Sequence, residues 1–430
     1  MARTRVIYQS EAVYCTVNSA FNAEALSDGD IEQLARVQSA NYSFSVSRQD
    51  VNQFGNLAAI DQIITESPTV SFDTSYYLAN FSNENRLGFS VTPSGNGTFA
   101  SCIENIIDST TNDYQKNYFV LTTKEGKDAN DNTTTGDFSY GASIIGIGNA
   151  FLSSYSSEGA VGGLPTVSVS VEGQNMNFVN LPYSGGVTDF NGCGLEMNVA
   201  KDAVTYISGD SPAVESSNGQ SVFKKIKLPV PVTDLSTADG DSISTLRPGD
   251  ITLTLAKQLA GTWRTEGNTA TGLYQSTEAN LITNPDYAGA NISNAHIQSY
   301  NLSFDLSRSP IQKLGNKFSF ARTIDFPINA SLSIDAVLSD LTTGSLADII
   351  NCDDKFDARI TLKNPKCYDG SHDDNAVCNY ILKGLKLDSQ SFSSDIGSNK
   401  SVTLDFSTQI GGPDQFDHGI FMSGYHVPDA

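Results

Sequence analysis

Residues 37–72 recur at 297–332, a constant shift of 260 positions without a gap. Identical pairs are Gln38/Gln298, Ser39/Ser299, Asn41/Asn301, Ser43/Ser303, Phe44/Phe304, Ser47/Ser307 and Arg48/Arg308. They continue with Gly55/Gly315, Asn56/Asn316, Ile64/Ile324 and Ser71/Ser331, and further pairs stay apolar, among them Val46/Leu306, Phe54/Leu314 and Phe72/Leu332. A repeat that holds register over such a length marks a duplicated structural unit. Within it, Tyr42, Phe44 and Val46 alternate with serines, and Leu302, Phe304 and Leu306 follow the same alternation, the period of a half-buried strand. Gly55-Asn56 and Gly315-Asn316 then mark a turn, since glycine takes positive φ without steric cost. A second strand is expected after each turn, at Thr69–Tyr77 and at Ala330–Val337.

Fainter echoes extend the duplication. Cys102–Asp108 and Ser345–Asn351 each place apolar residues at helical spacing, predicting one short helix per copy. Strands follow at Tyr118–Thr122 and Ala358–Leu362, and alternating strands at Val167–Val171 and Val402–Phe406. The chain is therefore expected to be mainly β, with a first repeat over 1–190 and a second over 271–430. Residues 191–270 have no clear counterpart and read as an insertion or extended linker, with turn-rich runs and plausible strands at Phe223–Val232 and Ile251–Leu255. A doubled domain is a pseudo-dimer, so a ring of six such domains closes as a trimer of chains. If rings also stack by a heterologous contact they grow into an open tube, in which edge strands are used instead of being a hazard.

Composition excludes more than it assigns. With 48 acidic against 26 basic side chains the formal charge is −22. That is the wrong sign for neutralising phosphates, so nucleic-acid binding is not expected. It suits solubility before assembly, or the wall of a passage that DNA crosses without sticking. No apolar run is long enough to span a bilayer. The opening residues lack the apolar core of a secretory signal, so folding in a cytoplasm is expected. The histidines, at 296, 372, 418 and 426, adjoin no nucleophile motif, and a duplicated chain does not single out one cleft for catalysis. Asp128–Asn132 opens like a calcium loop but has Thr133 and Ser139 where that loop needs Gly and Glu. Cys367 and Cys378 flank a polar loop with His372 between them. They could form a disulfide, but two thiols and one imidazole fall short of a zinc quartet. The expectation is no enzyme, no cofactor and no metal. Arg48 and Arg308, at matching places in the copies, are candidate subunit-interface residues, since the guanidinium fork suits acids across a boundary.

Val37–Phe44, Ser47–Gly55 and Arg5–Ala12, together with Leu302–Pro327 in the second copy, resemble tail structural proteins of marine phages. The resemblance runs through most of both repeats, fades between 190 and 270, and contains no diagnostic motif. It is to the tail-tube family, and it implies two tandem β-sandwich or β-roll domains, each flanked by one short α-helix. It further implies trimeric rings of pseudo-sixfold symmetry, stacked into a tube whose inner strands form one continuous barrel for DNA delivery. Tape-measure, baseplate and terminator proteins would then be the partners and the virion tail the location, with an acidic lumen along which DNA slides by repulsion. A baseplate or distal tail ring, and a glycan-binding virion adhesin, remain alternatives.

Overall fold

The computed structural model describes residues 11–16, 31–65, 68–93, 100–107, 116–123, 142–173, 175–180, 195–199, 224–228, 245–257, 295–311, 314, 321–338, 355–363, 376–393, 399–412 and 418–424. The first copy contributes β1 (Glu11–Thr16), β2 (Ile31–Gln33), β3 (Val37–Ser45), β4 (Arg48–Val51), β5 (Asp61–Ile64) and β6 (Thr69–Tyr77). It continues with β7 (Val91–Pro93), β8 (Lys116–Thr123), β9 (Ala142–Ala160), β10 (Thr166–Gly173) and β11 (Asn175–Asn180), with helices α1 (Ser82–Leu87) and α2 (Glu104–Ile107) on either side of β7. Among the described residues, strands β12 (Leu195–Val199) and β13 (Lys224–Leu228) pair only with each other. Then come β14 (Ile251–Lys257), β15 (Ala295–Asp305), β16 (Arg308–Ile311), β17 (Ala321–Ile324), β18 (Ile328–Leu338), β19 (Phe356–Lys363), β20 (Ala376–Ser393), β21 (Ser401–Ile410) and β22 (Gly419–Gly424).

The fold is mainly β, and the duplication read in the sequence is repeated in the hydrogen bonding. In the first copy Val169 stands between Thr74 and Tyr155; in the second, Leu404 stands between Ile334 and Gln390. Both copies break register at the same place, beside Ser170/Val171 and beside Leu387/Ser389. The equivalence extends to β14, which pairs with β19 as β1 pairs with β8. That strand lies in the stretch that reads from sequence as extra material. The helix expected over Cys102–Asp108 is found as α2. Its counterpart at Ser345–Asn351, the turn at Gly315-Asn316 and the calcium-like segment lie outside the described residues.

Each copy is a two-layer sandwich whose layers share one long strand. The first half of β9 bonds β8 and β11, and its second half bonds β10. Strand β20 does the same with β19, β22 and β21. In β10, Val167, Val169 and Val171 are buried while Ser168 is exposed and Ser170 is half-buried, so one face meets the core and the other meets water. Between the layers Phe72 lies 5.5 Å from Tyr118, and Phe356 lies 6.0 Å from Phe406. Full burial of such a ring stabilises by about 1.5–3 kcal/mol.

The copies are joined in both layers. In the inner layer β15 bonds to the second half of β9, from Ser299↔Ala160 to Asp305↔Ser154. The inner sheet thus runs β20-β21-β18-β15-β9-β10-β6-β3, four strands from each copy. In the outer layer β22 lies parallel to β7, and the Cys102 N–H donates to the Ile420 carbonyl at 2.9 Å.

Helix α1 sits against this junction. Its residues are mostly polar, yet Asn83, Glu84 and Arg86 are buried, and Gly88 ends it at φ 100°. The Asn83 amide exchanges two hydrogen bonds with the Ala35 backbone, at 2.9 and 2.8 Å. Glu84 Oε1 accepts from the hydroxyls of Tyr76 at 2.9 Å and Tyr155 at 3.1 Å. The Tyr155 hydroxyl in turn lies 2.7 Å from that of Tyr380 in the second copy. Burial pushes the Glu84 carboxyl up to about 7, against the smaller opposing pull of the Tyr76 and Tyr155 hydroxyls and the Arg36 charge.

A carboxyl raised in the folded state binds its proton more tightly there than in the unfolded chain. Its contribution is complete below the unfolded value near 4.5 and is lost as pH rises through about 7. Glu84→Gln keeps an acceptor for the tyrosines and removes the titration. The variant is expected to be more stable than wild type at pH 8, on the order of 2 kcal/mol, and equal to it near pH 4. Denaturant unfolding at a series of pH values measures this difference.

Candidate assembly edges

The inner sheet ends in two strand edges that, among the described residues, pair with nothing: the outer side of β3 and the second half of β20. An open edge presents unpaired N–H and C=O groups, a template for another strand. The chain shows inside itself what such an edge accepts, because β15 is the counterpart of β3 and β9 the counterpart of β20. Equivalent side chains differ accordingly. Leu302 and Phe304 on β15 are 0% and 2% exposed, whereas Tyr42 and Phe44 on β3 are 38% and 46% exposed. Phe392 on β20 is 49% exposed, while its counterpart Ser157 on β9 is wholly buried. One sequence pattern thus has two burial states, and the difference is whether a neighbouring copy is present.

The candidate arginines part company in the same way. Arg308 lies at the root of the β16–β17 hairpin with its guanidinium 5.0 Å from the Phe151 ring centroid of the first copy, and donates to the Arg322 carbonyl at 3.3 Å. Arg322 lies 5.7 Å from the same centroid and 2.7 Å from the Glu172 carboxylate. Two cations over one ring with an acid beside them form a clamp between the copies. Arg48, in the β4–β5 hairpin, is exposed. Its partner position to Arg322 is Gln62, and the places of Phe151 and Glu172 are taken in the second copy by Lys386 and Ser407. The structure brings Arg308 to a boundary between copies and leaves Arg48 at the surface of the chain. Repetition singled out both arginines, but Phe151, Glu172 and Arg322 were missed because none belongs to a matched pair.

The water-facing side of the inner sheet carries hydroxyls and carboxylates. Ser43 and Ser71 lie 2.6 Å apart, and the equivalent Ser303 and Ser331 lie 2.8 Å apart. Asp335 accepts from Ser299 at 2.9 Å and Thr403 at 2.6 Å, and Asp405 from Ser333 at 2.7 Å and Ser389 at 2.6 Å. The hydrogen bonds from Ser389 and Ser333 hold the Asp405 carboxyl below the usual carboxylate range. Asp73, Glu158 and Asp305 stand on the same face by register.

Of the histidines, His296 is exposed on β15 and His418 lies 3.1 Å from the Lys355 ammonium; His372 and His426 lie outside the described residues. Cys378 is buried with its thiol 3.9 Å from the Ala79 carbonyl, and Cys367 lies outside the described residues. Among the described residues no three His, Cys, Asp or Glu side chains converge.

No protein-family model and no curated protein matches the chain. Among solved structures, a chain of the anti-feeding prophage baseplate, in its sixfold-symmetrised cryo-EM structure, is similar over 41% of this chain and 93% of that one. The sequence identity is 12% and the TM-score 0.24, a likeness too loose to bear on function.

The burial contrast sets an expectation for the isolated chain. Phe304→Ala opens a cavity beside Tyr155 and Phe89, whose rings lie 5.3 and 6.0 Å away, and is expected to cost about 3–5 kcal/mol. Phe44→Ala, at the same place on the open edge, is expected to cost less than about 1 kcal/mol under dissociating conditions. Denaturant unfolding of both variants at low protein concentration checks the difference.

Proposed function

We propose that this chain is a self-assembling structural subunit of a phage tail tube, and that its two open edges close on one another between chains. The observation that carries the proposal is the pairing of β15 with β9, which covers Leu302 and Phe304 while Tyr42, Phe44 and Phe392 stay exposed at the corresponding free edges. Transferring the internal register to the free edges sets Ser43 of one chain against Ser391 of the next, as Ser303 stands against Ser156. Tyr42 then meets Phe392, two exposed rings on one face, where an aromatic cross-strand pair is favourable. The sequence resemblance to tail proteins supports a tube over other ring assemblies.

Closure by three chains makes a barrel of twenty-four inner strands, eight from each. With strands about 4.8 Å apart and tilted about 40°, its backbone diameter is roughly 45–50 Å, enough for a double helix with side chains lining the wall. The apolar face of each inner sheet packs on the outer layer, so the hydroxyl and carboxylate face is the one left for the bore. Its Asp73, Glu158, Asp305, Asp335 and Asp405 would repel phosphates, which suits passage without binding. The boundary between chains has Lys386 and Ser407 where the boundary within a chain has Phe151 and Glu172. It therefore lacks the arginine clamp and is the joint that opens more easily.

Directly opposed strand residues lie within disulfide reach. Ser43→Cys with Ser391→Cys, oxidised after purification, is expected to give a ladder of cross-linked chains ending at three on a non-reducing gel. Ser156→Cys with Ser303→Cys, the internal equivalent, is expected to cross-link within one chain. Absence of any interchain product where the internal pair oxidises would sink the edge-to-edge reading. A ladder ending elsewhere would change the size of the ring.

A further inference from the structure

The joint inside the chain shows what faces the core where two copies meet. There Leu302 of β15 stands opposite Ser157 of β9, and Ile251, at the start of β14, reaches over the first copy. A Cβ added at Gly159 would lie 3.3 Å from the Ile251 side chain and 2.6 Å from the Tyr300 ring, so β14 overhangs that end of β9. On the next strand in, Pro165 precedes the pair Thr166↔Glu158. None of Leu302, Ser157, Ile251 and Pro165 carries a charge.

At the two open edges the equivalent places are filled differently. Thr122 and Leu362 are equivalent through their pairing with Ser143 and Cys378, and they face Glu11 and Ile251, so Glu11 takes the place of Ile251. It stands beside the exposed Tyr42, whose hydroxyl is pushed up by burial and, after it, by the Glu11 charge. Thr166 and Ser401 are equivalent through their pairing with Glu158 and Ser393, so Lys400 takes the place of Pro165. The Lys400 ammonium lies 5.2 Å from the centroid of the exposed Phe392 ring, a cation over an aromatic face.

One open edge therefore carries a ring with an anion beside it, and the other a ring with a cation above it. Among the described residues, neither Glu11 nor Lys400 takes part in an ion pair inside the chain. Burial alone raises the Glu11 carboxyl, as expected of a half-buried acid with no cation at hand.

We infer that Glu11 of one chain and Lys400 of the next form an ion pair across the joint between chains, over Tyr42 and Phe392, and that this pair selects unlike edges for one another. The occupant of each edge is a second copy of this chain presenting its opposite edge. The internal joint sets the Ile251 place over the end of β9 and the Pro165 place on the strand beside it. The same arrangement between chains brings carboxylate and ammonium together where both are partly withdrawn from water, and such pairs fix register and partner. Two β3 edges set against each other would cover carboxylates with no cation, and two β20 edges would cover ammonium groups with no anion. Both alternatives are two-fold pairs, and each is disfavoured by its uncompensated charge. The inference rests on the edge-to-edge closure proposed above and adds what gives that closure its direction.

The test uses chains carrying Ser43→Cys with Ser391→Cys and follows the interchain ladder during oxidation at low salt. Glu11→Lys alone and Lys400→Glu alone are each expected to slow the ladder roughly tenfold, and the two together to restore it to within about twofold of the parent. High salt is expected to shrink these differences. The internal Ser156→Cys/Ser303→Cys cross-link is expected to form equally in every background, because that joint has neither charge. A doubly reversed chain no better than the single variants would overturn the ion pair while leaving closure intact, and so would single variants equal to the parent. Loss of the internal cross-link in a single variant would overturn it by assigning that charge to the fold. A parent with no ladder, although its internal pair oxidises, refutes the edge-to-edge reading and this inference with it.

Discussion

The hydrogen-bonded ladder between β15 and β9 organises the rest of the molecule. It turns two half-sheets into one, which places Phe304 on Tyr155 and brings the Tyr155 hydroxyl to that of Tyr380. It also seats the second hairpin on Phe151. Remove that ladder and each copy would be a sandwich with two raw edges. With it, one joint is satisfied inside the chain, and two strand edges of the inner sheet are left open among the described residues.

The two faces of the inner sheet divide the labour. On the apolar side, valines, leucines and aromatic rings interdigitate with the outer layer and supply the stability. On the other, serines pair across strands and hold aspartates in place, so the charge is fixed in position by hydroxyls instead of being offset by cations. Glu84 is a different case: a carboxyl taken into the core between the copies, where burial and not a neighbouring charge sets its titration.

Much of this was legible in the residues. The alternation Tyr42-Phe44-Val46 predicted a half-buried strand; a strand is there, but Tyr42 and Phe44 are exposed because its outer edge is open. The expected strand Thr69–Tyr77 matches β6 residue for residue, and Ala330–Val337 falls within β18. Helix α1 was not legible. Its Asn83, Glu84 and Arg86 are polar residues buried by partners distant in sequence, and a periodicity argument counts only apolar ones. The match of β14 to β1 was equally hidden, since the two strands have equivalent pairing partners, β19 and β8, and no common residue pattern.

The sequence by itself determined that there are two copies, that their strands are amphipathic, and that Arg48 and Arg308 are equivalent. Those properties are local: a repeat, a period of two and a turn glycine are each read within a few residues. Only the tertiary structure decided that equivalent residues have unequal surroundings, with Leu302 and Phe304 covered and Tyr42 and Phe44 bare. Burial depends on which strand lies alongside, and that neighbour comes from more than a hundred residues away, where no local pattern reaches.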